Sequence, residues 1–368
     1  MQRTLLILAA AATMAGCSTD LDINAPYKDV TVVYGLLNMR DSVHYVKINK
    51  AFLGEGNAFV YAAIRDSSEY RDEDITQAVV YRVNSAGTPV DSFLLRDTLL
   101  TGRLPGDFYY PEQKVYYFNT PQRIINPSGT PQISSGPTFL YQNGIYKLKL
   151  KIKGRDVTST SNIASDITIA SNDQDTLNSA SAINFMNPLG NGYGIYEFNW
   201  TSSISGIPWT NKRFVVTLDF KFDEVRGGVS QRIVKSRELG TVVATAASQP
   251  LAVTLPGETF YSWLRNSIPD DPAVDQRIFR GIDFRVDAAN EDFHTYLTLT
   301  EPISSIVEDR PQYSNIDGAY GLWASRYYKN VVNKRLNPAS LNELINGTYT
   351  STMRFCSGFN SGPPYGCN

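Results

Sequence analysis

Gly144-Ile145-Tyr146-Lys147-Leu148-Lys149-Leu150-Lys151-Ile152-Lys153 alternates lysine with bulky apolar residues at a period of two. Only an extended strand sends successive side chains to opposite faces, so Tyr146, Leu148, Leu150 and Ile152 face a core while the lysines face water. A helix would scatter both kinds around its circumference. The lysine row is the solvated face of a strand, and lysines there also discourage pairing along an open edge.

Strand signals of the same kind extend in both directions. Val30 to Leu37, Val43 to Phe52, Ala78 to Val83 and Ser92 to Leu95 are β-branched or aromatic runs broken by turn formers. Asn84-Ser85-Ala86-Gly87-Thr88-Pro89 has the composition of a hairpin connection. Lys114 to Phe118, Asp156 to Thr160 and Asp166 to Ile169 continue the pattern, and repeated short strands of this kind suggest a sandwich. From Asn172 to Gly194 the periodicity weakens and Ser, Asn, Asp and Gly accumulate; strands then resume at Gly194 to Trp200, Arg213 to Phe222 and Ile278 to Val286. Two helices are expected among them. One opens at Pro256-Gly257-Glu258 and carries Phe260, Leu264 and Ile268 at a spacing of four; the other starts at Asn337-Pro338 and runs through Leu341, Leu344 and Ile345.

The fold expected is therefore mainly β, an N-terminal immunoglobulin-like or related sandwich over 29–171, a connection over 172–193, and a second β-rich domain with two short packing helices over 194–350. A C-terminal loop, 351–368, holds Cys356 and Cys367. If Cys17 is taken up as described below, these two remain as a pair, which can oxidise outside the cytoplasm; two free thiols are the alternative.

A net charge of −2 and the absence of any basic cluster beyond the lysine strand argue against a nucleic-acid partner. No Gly-x-Ser-x-Gly elbow, His-Glu-x-x-His helix or phosphate-cradling glycine loop is present. With two histidines, His44 and His294, in unrelated contexts, no metal site, cofactor or catalytic residue is assigned. The acidic pairs and triplets at 72–74, 270–271 and 308–309 read as solvated turns.

At the N-terminus, Arg3 precedes the apolar run Leu5-Leu6-Ile7-Leu8 and Ala9 to Ala12, the layout of a signal peptide over 1–16. The run is shorter than the roughly 20 apolar residues a membrane-spanning helix needs. Met14-Ala15-Gly16-Cys17 resembles the lipobox of bacterial lipoproteins. That resemblance implies acylation of Cys17 and cleavage before it, leaving 17–28 as a tether. Several acyl chains anchor stably where one holds only marginally. Ser18 after the cysteine implies sorting to the outer membrane, and Asp20 and Asp22 resemble signals for export to the cell exterior.

Phe293-His294-Thr295-Tyr296-Leu297-Thr298-Leu299, followed by Tyr313-Ser314-Asn315-Ile316-Asp317-Gly318-Ala319-Tyr320-Gly321-Leu322-Trp323-Ala324-Ser325-Arg326, resembles a family of Bacteroidota outer-membrane lipoproteins of unknown function. In that family a strand ending in a tyrosine-containing stretch precedes an Asn-Ile-x-Gly turn and a small apolar strand. The resemblance takes in the lipobox, the first strand at Val32-Val33-Tyr34-Gly35 and the Phe260/Leu264/Ile268 helix, and it departs at the Cys356/Cys367 loop. Family members are often encoded beside TonB-dependent receptors, which implies a non-catalytic binding or accessory component of a transport system. A structural or adhesive surface protein binding another protein, and a glycan hydrolase, are the alternatives. Gly318 and Gly321 read as turn glycines.

The sequence holds 22 tyrosines and 17 phenylalanines. The doublets Tyr109-Tyr110, Tyr116-Tyr117 and Tyr327-Tyr328 are candidate binding residues, because neighbours on one strand face opposite ways and one ring of each must point outward. Exposed rings of this kind offer a platform to a glycan or other nutrient, or to a protein.

Overall fold

The computed structural model describes residues 28–53, 58–120, 140–188, 192–301, 312–359 and 364–367; Cys17 lies outside them. The chain enters as β1 (Lys28–Asn38) and turns into β2 (Val43–Leu53). Two short helices, α1 (Ala58–Ala62) and α2 (Arg65–Ser68), lead to the hairpin of β3 (Ile75–Val83) and β4 (Pro89–Leu94). The hairpin is closed as its composition implies: Asn84 Oδ1 accepts from the N–H groups of Ala86 and Thr88 at 3.0 and 2.9 Å. Next come β5 (Arg96–Leu100), β6 (Gln113–Asn119), β7 (Ile145–Ile152), β8 (Arg155–Asn162) and β9 (Thr168–Ile169).

After α3 (Ser171–Gln174) the strands are longer: β10 (Ile195–Thr201), β11 (Asn211–Arg226), β12 (Val229–Val243) and β13 (Pro250–Pro256). Then follow α4 (Gly257–Ser267), β14 (Gln276–Asn290), α5 (Glu291–Thr300), β15 (Tyr320–Lys334), α6 (Pro338–Asn346) and β16 (Phe355–Ser357).

Among the described residues the fold is mainly β, with three sheets and a few short helices. A nine-stranded sheet runs β12-β11-β14-β15-β1-β2-β6-β5, with β16 added beside β14. The sheets β4-β3-β7-β8 and β13-β10-β9 lie on its inner face. Phe93 of β4 meets Phe118 of β6 at 5.1 Å between ring centroids, and Phe198 of β10 stacks on Phe284 of β14 at 4.5 Å. The helices α4 and α6 join the same layer: Phe260 packs against Phe220 at 5.9 Å, and Tyr261 donates to the Ser340 carbonyl at 2.7 Å.

β1 pairs parallel with β15, from Val32 opposite Tyr320 to Asn38 opposite Arg326. The large sheet therefore draws strands from both sides of the connection at 172–193. That connection is pinned rather than loose. Lys334, 1% exposed, donates to the carbonyls of Asn172, Asp175 and Ser181 at 2.7, 3.0 and 2.8 Å, and burial lowers its pKa.

β7 buries Tyr146, Leu148, Leu150 and Ile152 completely and turns Lys147, Lys149 and Lys151 outward, as the alternation requires. The edge role expected of the lysines is corrected: β7 is an interior strand hydrogen-bonded to β3 and to β8. A second correction concerns Phe293 to Leu299, which the resemblance implied to be a strand and which is α5. Asn290 caps it, its Oδ1 accepting from Phe293 N–H at 3.1 Å, and Glu291 and Asp292 complement the positive helix start. The cap and first-turn charges outweigh the strand preference of Phe293, Thr295, Tyr296, Thr298 and Thr300.

The stretch that carries the family resemblance is a clasp. Asn315 accepts from Trp323 N–H at 2.9 Å and donates to the Trp323 carbonyl at 2.7 Å, while its own carbonyl accepts from Ser159 Oγ at 2.6 Å. Gly318 and Gly321 sit at φ 78° and 127°, values that side chains disfavour. Cys356 and Cys367 form a disulfide that closes the C-terminal loop.

Candidate functional site

The outer face of the nine-stranded sheet carries side chains that the core does not use. On β1 and β2, Val33, Leu37, Val46 and Ile48 point inward, so Tyr34 and Tyr45 point outward; they are 42% and 48% exposed. Tyr45 lies directly opposite Tyr117 of β6 with ring centroids 6.4 Å apart. Tyr34 meets Tyr296 of α5 edge-on at 6.4 Å. Tyr117, Tyr45 and Tyr34 thus lie on three adjacent strands, and Tyr296 adds a ring from α5, which packs against β15.

A second group lies further along β15. Tyr328 is held between two guanidinium groups, Arg40 at 4.7 Å and Arg285 at 5.3 Å from its ring centroid. Arg285 also pairs with Asp287 at 2.6 Å, the residue opposite Tyr328 in register. Arg326, two residues earlier on the same face, is exposed.

The three doublets divide as follows. Tyr116 is buried, with Lys114 over its ring at 5.7 Å, and Tyr117 faces out. Tyr327 is buried and donates to Asp166 at 2.7 Å, whereas Tyr328 faces out. Tyr109 and Tyr110 stand in the loop between β5 and β6, remote in register from the other two. Tyr34, Tyr45 and Tyr296 escaped the sequence reading because each stands alone; the signal available for two of them was their outward parity in strands whose alternate residues are aliphatic.

His44 and His294 do not converge on shared chemistry. His44 is buried, stacks on Phe118 at 4.8 Å and shares a hydrogen bond with Thr120 Oγ1 at 2.7 Å. Burial pushes its pKa down to about 4. His294 is on α5, its Nδ1 3.5 Å from Thr298 Oγ1. No group of three or more His, Cys, Asp or Glu able to hold a metal occurs among the described residues.

Several carboxylates are paired with cations. Asp223 and Glu224, adjacent on β11, are each gripped by two arginines: Asp223 by Arg232 and Arg280, Glu224 by Arg226 and Arg277. Burial raises both pKa values, and the arginine hydrogen bonds more than reverse this, so both lie below the usual range. Asp270 pairs with Arg265, Asp271 with Arg226, and Asp72 with Lys114. A cleft of about 310 Å³ between β3 and β5 contains Asp72, Asp97 and Tyr116, near the lower size limit for a small-ligand pocket, but its Asp72 is spent on Lys114.

His44 makes acid stability testable. The folded pKa lies below the value of 6.5 for the unfolded chain, so between the two the unfolded state binds the extra proton. The contribution of neutral His44 is complete above pH 6.5 and is lost as pH falls toward 4, a span equivalent to about 3 kcal/mol. Denaturant titrations from pH 7 to 4 should show wild type losing about 3 kcal/mol more than His44→Gln. Parallel curves would contradict this; neighbouring carboxylates titrate in both proteins and cancel.

No family model matches the chain, and no curated protein matches it.

Proposed function

We propose that the protein is a non-catalytic accessory lipoprotein, anchored to the outer membrane through Cys17, that docks by the outer face of its large sheet on a membrane receptor of the TonB-dependent class. The observation that carries this is the Tyr117-Tyr45-Tyr34 row beside the Arg40-Tyr328-Arg285 group. Tyrosine and arginine are the residues enriched at the centres of protein interfaces, where rigid amphipathic rings and planar cations bind at low entropic cost. These groups are spread over strands from β6 to β15 rather than gathered in a pocket, which suits a protein surface better than a small nutrient. The Tyr/Arg face and the lipobox at Met14-Ala15-Gly16-Cys17 converge on a partner in the same membrane.

The experiment is recovery of partners from gently solubilised outer membranes with a C-terminally tagged chain. Wild type should bring down a TonB-dependent receptor in near-stoichiometric amount. Tyr45→Ala with Tyr117→Ala should reduce recovery at least tenfold, since losing two central aromatic anchors costs at least about 2 kcal/mol. Recovery of the protein alone, or equal recovery with the variant, would refute the assignment. Both substitutions replace exposed or half-exposed rings, so folding is not at stake.

A further inference from the structure

At one end of the sandwich, among the described residues, the chain exposes six large apolar side chains. Phe59 and Val60 of α1 are 68% and 60% exposed, and Ile64 after it is 46% exposed. Leu104, Phe108 and Tyr110, in the loop joining β5 to β6, are 82%, 56% and 48% exposed. The two segments are tied together, Tyr109 N–H donating to the Ala62 carbonyl at 3.0 Å. Singly exposed apolar residues are ordinary; six such residues brought together from two segments mark a contact surface.

The position of the cluster identifies what it contacts. In the β1–β2 pairing Lys28 lies opposite Leu53, five residues before α1. β6 runs antiparallel to β2, with Asn119 opposite Val43 and Tyr116 opposite Val46, so its start at Gln113 and the loop before it lie toward that same end. The apolar cluster therefore lies toward the end of the sheet at which β1 begins. Lys28 is eleven residues from Cys17, a stretch that reaches at most about 40 Å.

We propose that this cluster is a membrane-docking surface: it inserts into the interface of the bilayer that holds the acyl chains of Cys17. This rests on the lipid-anchored reading of Cys17 given above. The chemistry suits that depth. Phe59, Phe108 and Tyr110 are rings of the sort that settle at the headgroup boundary. Arg103, its guanidinium 5.3 Å from the Phe108 ring, is the cation of the cluster that a lipid phosphate would meet, whereas Arg65, 5.9 Å from the Tyr109 ring, is held by Glu69 and Glu112. Docking this end sets the strands of the large sheet upright on the membrane and turns its Tyr/Arg face sideways, toward proteins embedded in the same bilayer.

The test uses the acylated full chain reconstituted into phosphatidylethanolamine/phosphatidylglycerol vesicles containing bromine-labelled lipids. An environment-sensitive probe is attached at Leu104→Cys or Phe108→Cys, with the Cys356–Cys367 disulfide kept oxidised, and at Val229→Cys, on the β11–β12 hairpin, as control. Probes at 104 and 108 should be quenched roughly twofold or more, because an interfacial element lies about 5–10 Å into the headgroup boundary, while the control is unaffected. Equal emission at all three sites would overturn the proposal. So would a probe at 108 shielded only when another membrane protein is added, which would make the cluster a protein contact. The mass of the peptide beginning at Cys17 is read on the same sample: a peptide without acyl chains sinks the anchor itself, whereas an acylated peptide with no quenching sinks only the docking surface.

Discussion

Trp323→Ala should destabilise the protein by about 4 kcal/mol or more, at the upper end of what large-to-small core substitutions cost. Trp323 is fully buried, and its Nε1–H donates to the Tyr146 carbonyl at 2.9 Å, so one side chain joins β15 of the large sheet to β7 of the sheet above. Its six-membered ring lies over Gly35, where a Cβ would stand 2.5 Å from Trp323 Cε3 and Cζ3; the glycine is what makes room for the indole. Truncation removes the ring, opens a cavity between layers that are both hydrogen-bonded in place, and removes the indole N–H donated to the Tyr146 carbonyl. Trp323→Phe should cost less, by keeping most of the packing. Urea denaturation followed by circular dichroism measures both. A loss below about 1 kcal/mol for Trp323→Ala would mean the two layers are not joined there.

Arg277→Met should be nearly as damaging, about 3–5 kcal/mol, as expected when one member of a buried charged network is removed. Arg277 is 1% exposed; Nε donates to Glu224 at 2.9 Å, Nη1 to the Met353 carbonyl and Nη2 to the Pro269 carbonyl, each at 2.9 Å. It thus fastens β14 to β11, to the turn before β16 and to the segment after α4. Methionine fills the volume and supplies none of the donors, so the buried Met353 carbonyl and Glu224 lose the Arg277 guanidinium. Arg285→Ala provides the contrast. Its pair with Asp287 is solvent-exposed, with side chains 48% and 33% accessible, and should contribute below 1 kcal/mol. Similar losses for the two arginines would refute the distinction.

Much of this architecture was legible where a residue's neighbours in sequence are also its environment. The lysine strand, the Asn84 hairpin, α4 with Phe260 and Leu264 buried, and α6 with its Asn337 cap follow from period, turn chemistry and capping. What was not legible depends on partners far along the chain. β12 is an outer strand of mixed polar and apolar residues, and it is fixed by pairing with β11 rather than by any pattern of its own. The parallel union of β1 with β15 joins residues about 290 positions apart, which no local signal announces. α5 was obscured because threonine and aromatic residues favour strands, and Asn290 reads as a cap only once β14 is known to end there.

The candidate face was half visible. The doublets Tyr116-Tyr117 and Tyr327-Tyr328 announced one outward ring each, and the structure puts Tyr117 and Tyr328 outside. That Tyr45 stands across from Tyr117, and that Arg40 and Arg285 enclose Tyr328, are consequences of strand order. The doublet at 109–110 belongs to the apolar end rather than to the sheet face.

The measurement that tests the central claim most directly is site-specific photo-crosslinking in living cells, with a photoreactive phenylalanine replacing Tyr45 and, as control, Val229. Docking through the outer face predicts a discrete crosslinked product from position 45, identified by mass spectrometry as a TonB-dependent receptor, and none from position 229. No product from position 45, or the same products from both positions, would contradict it.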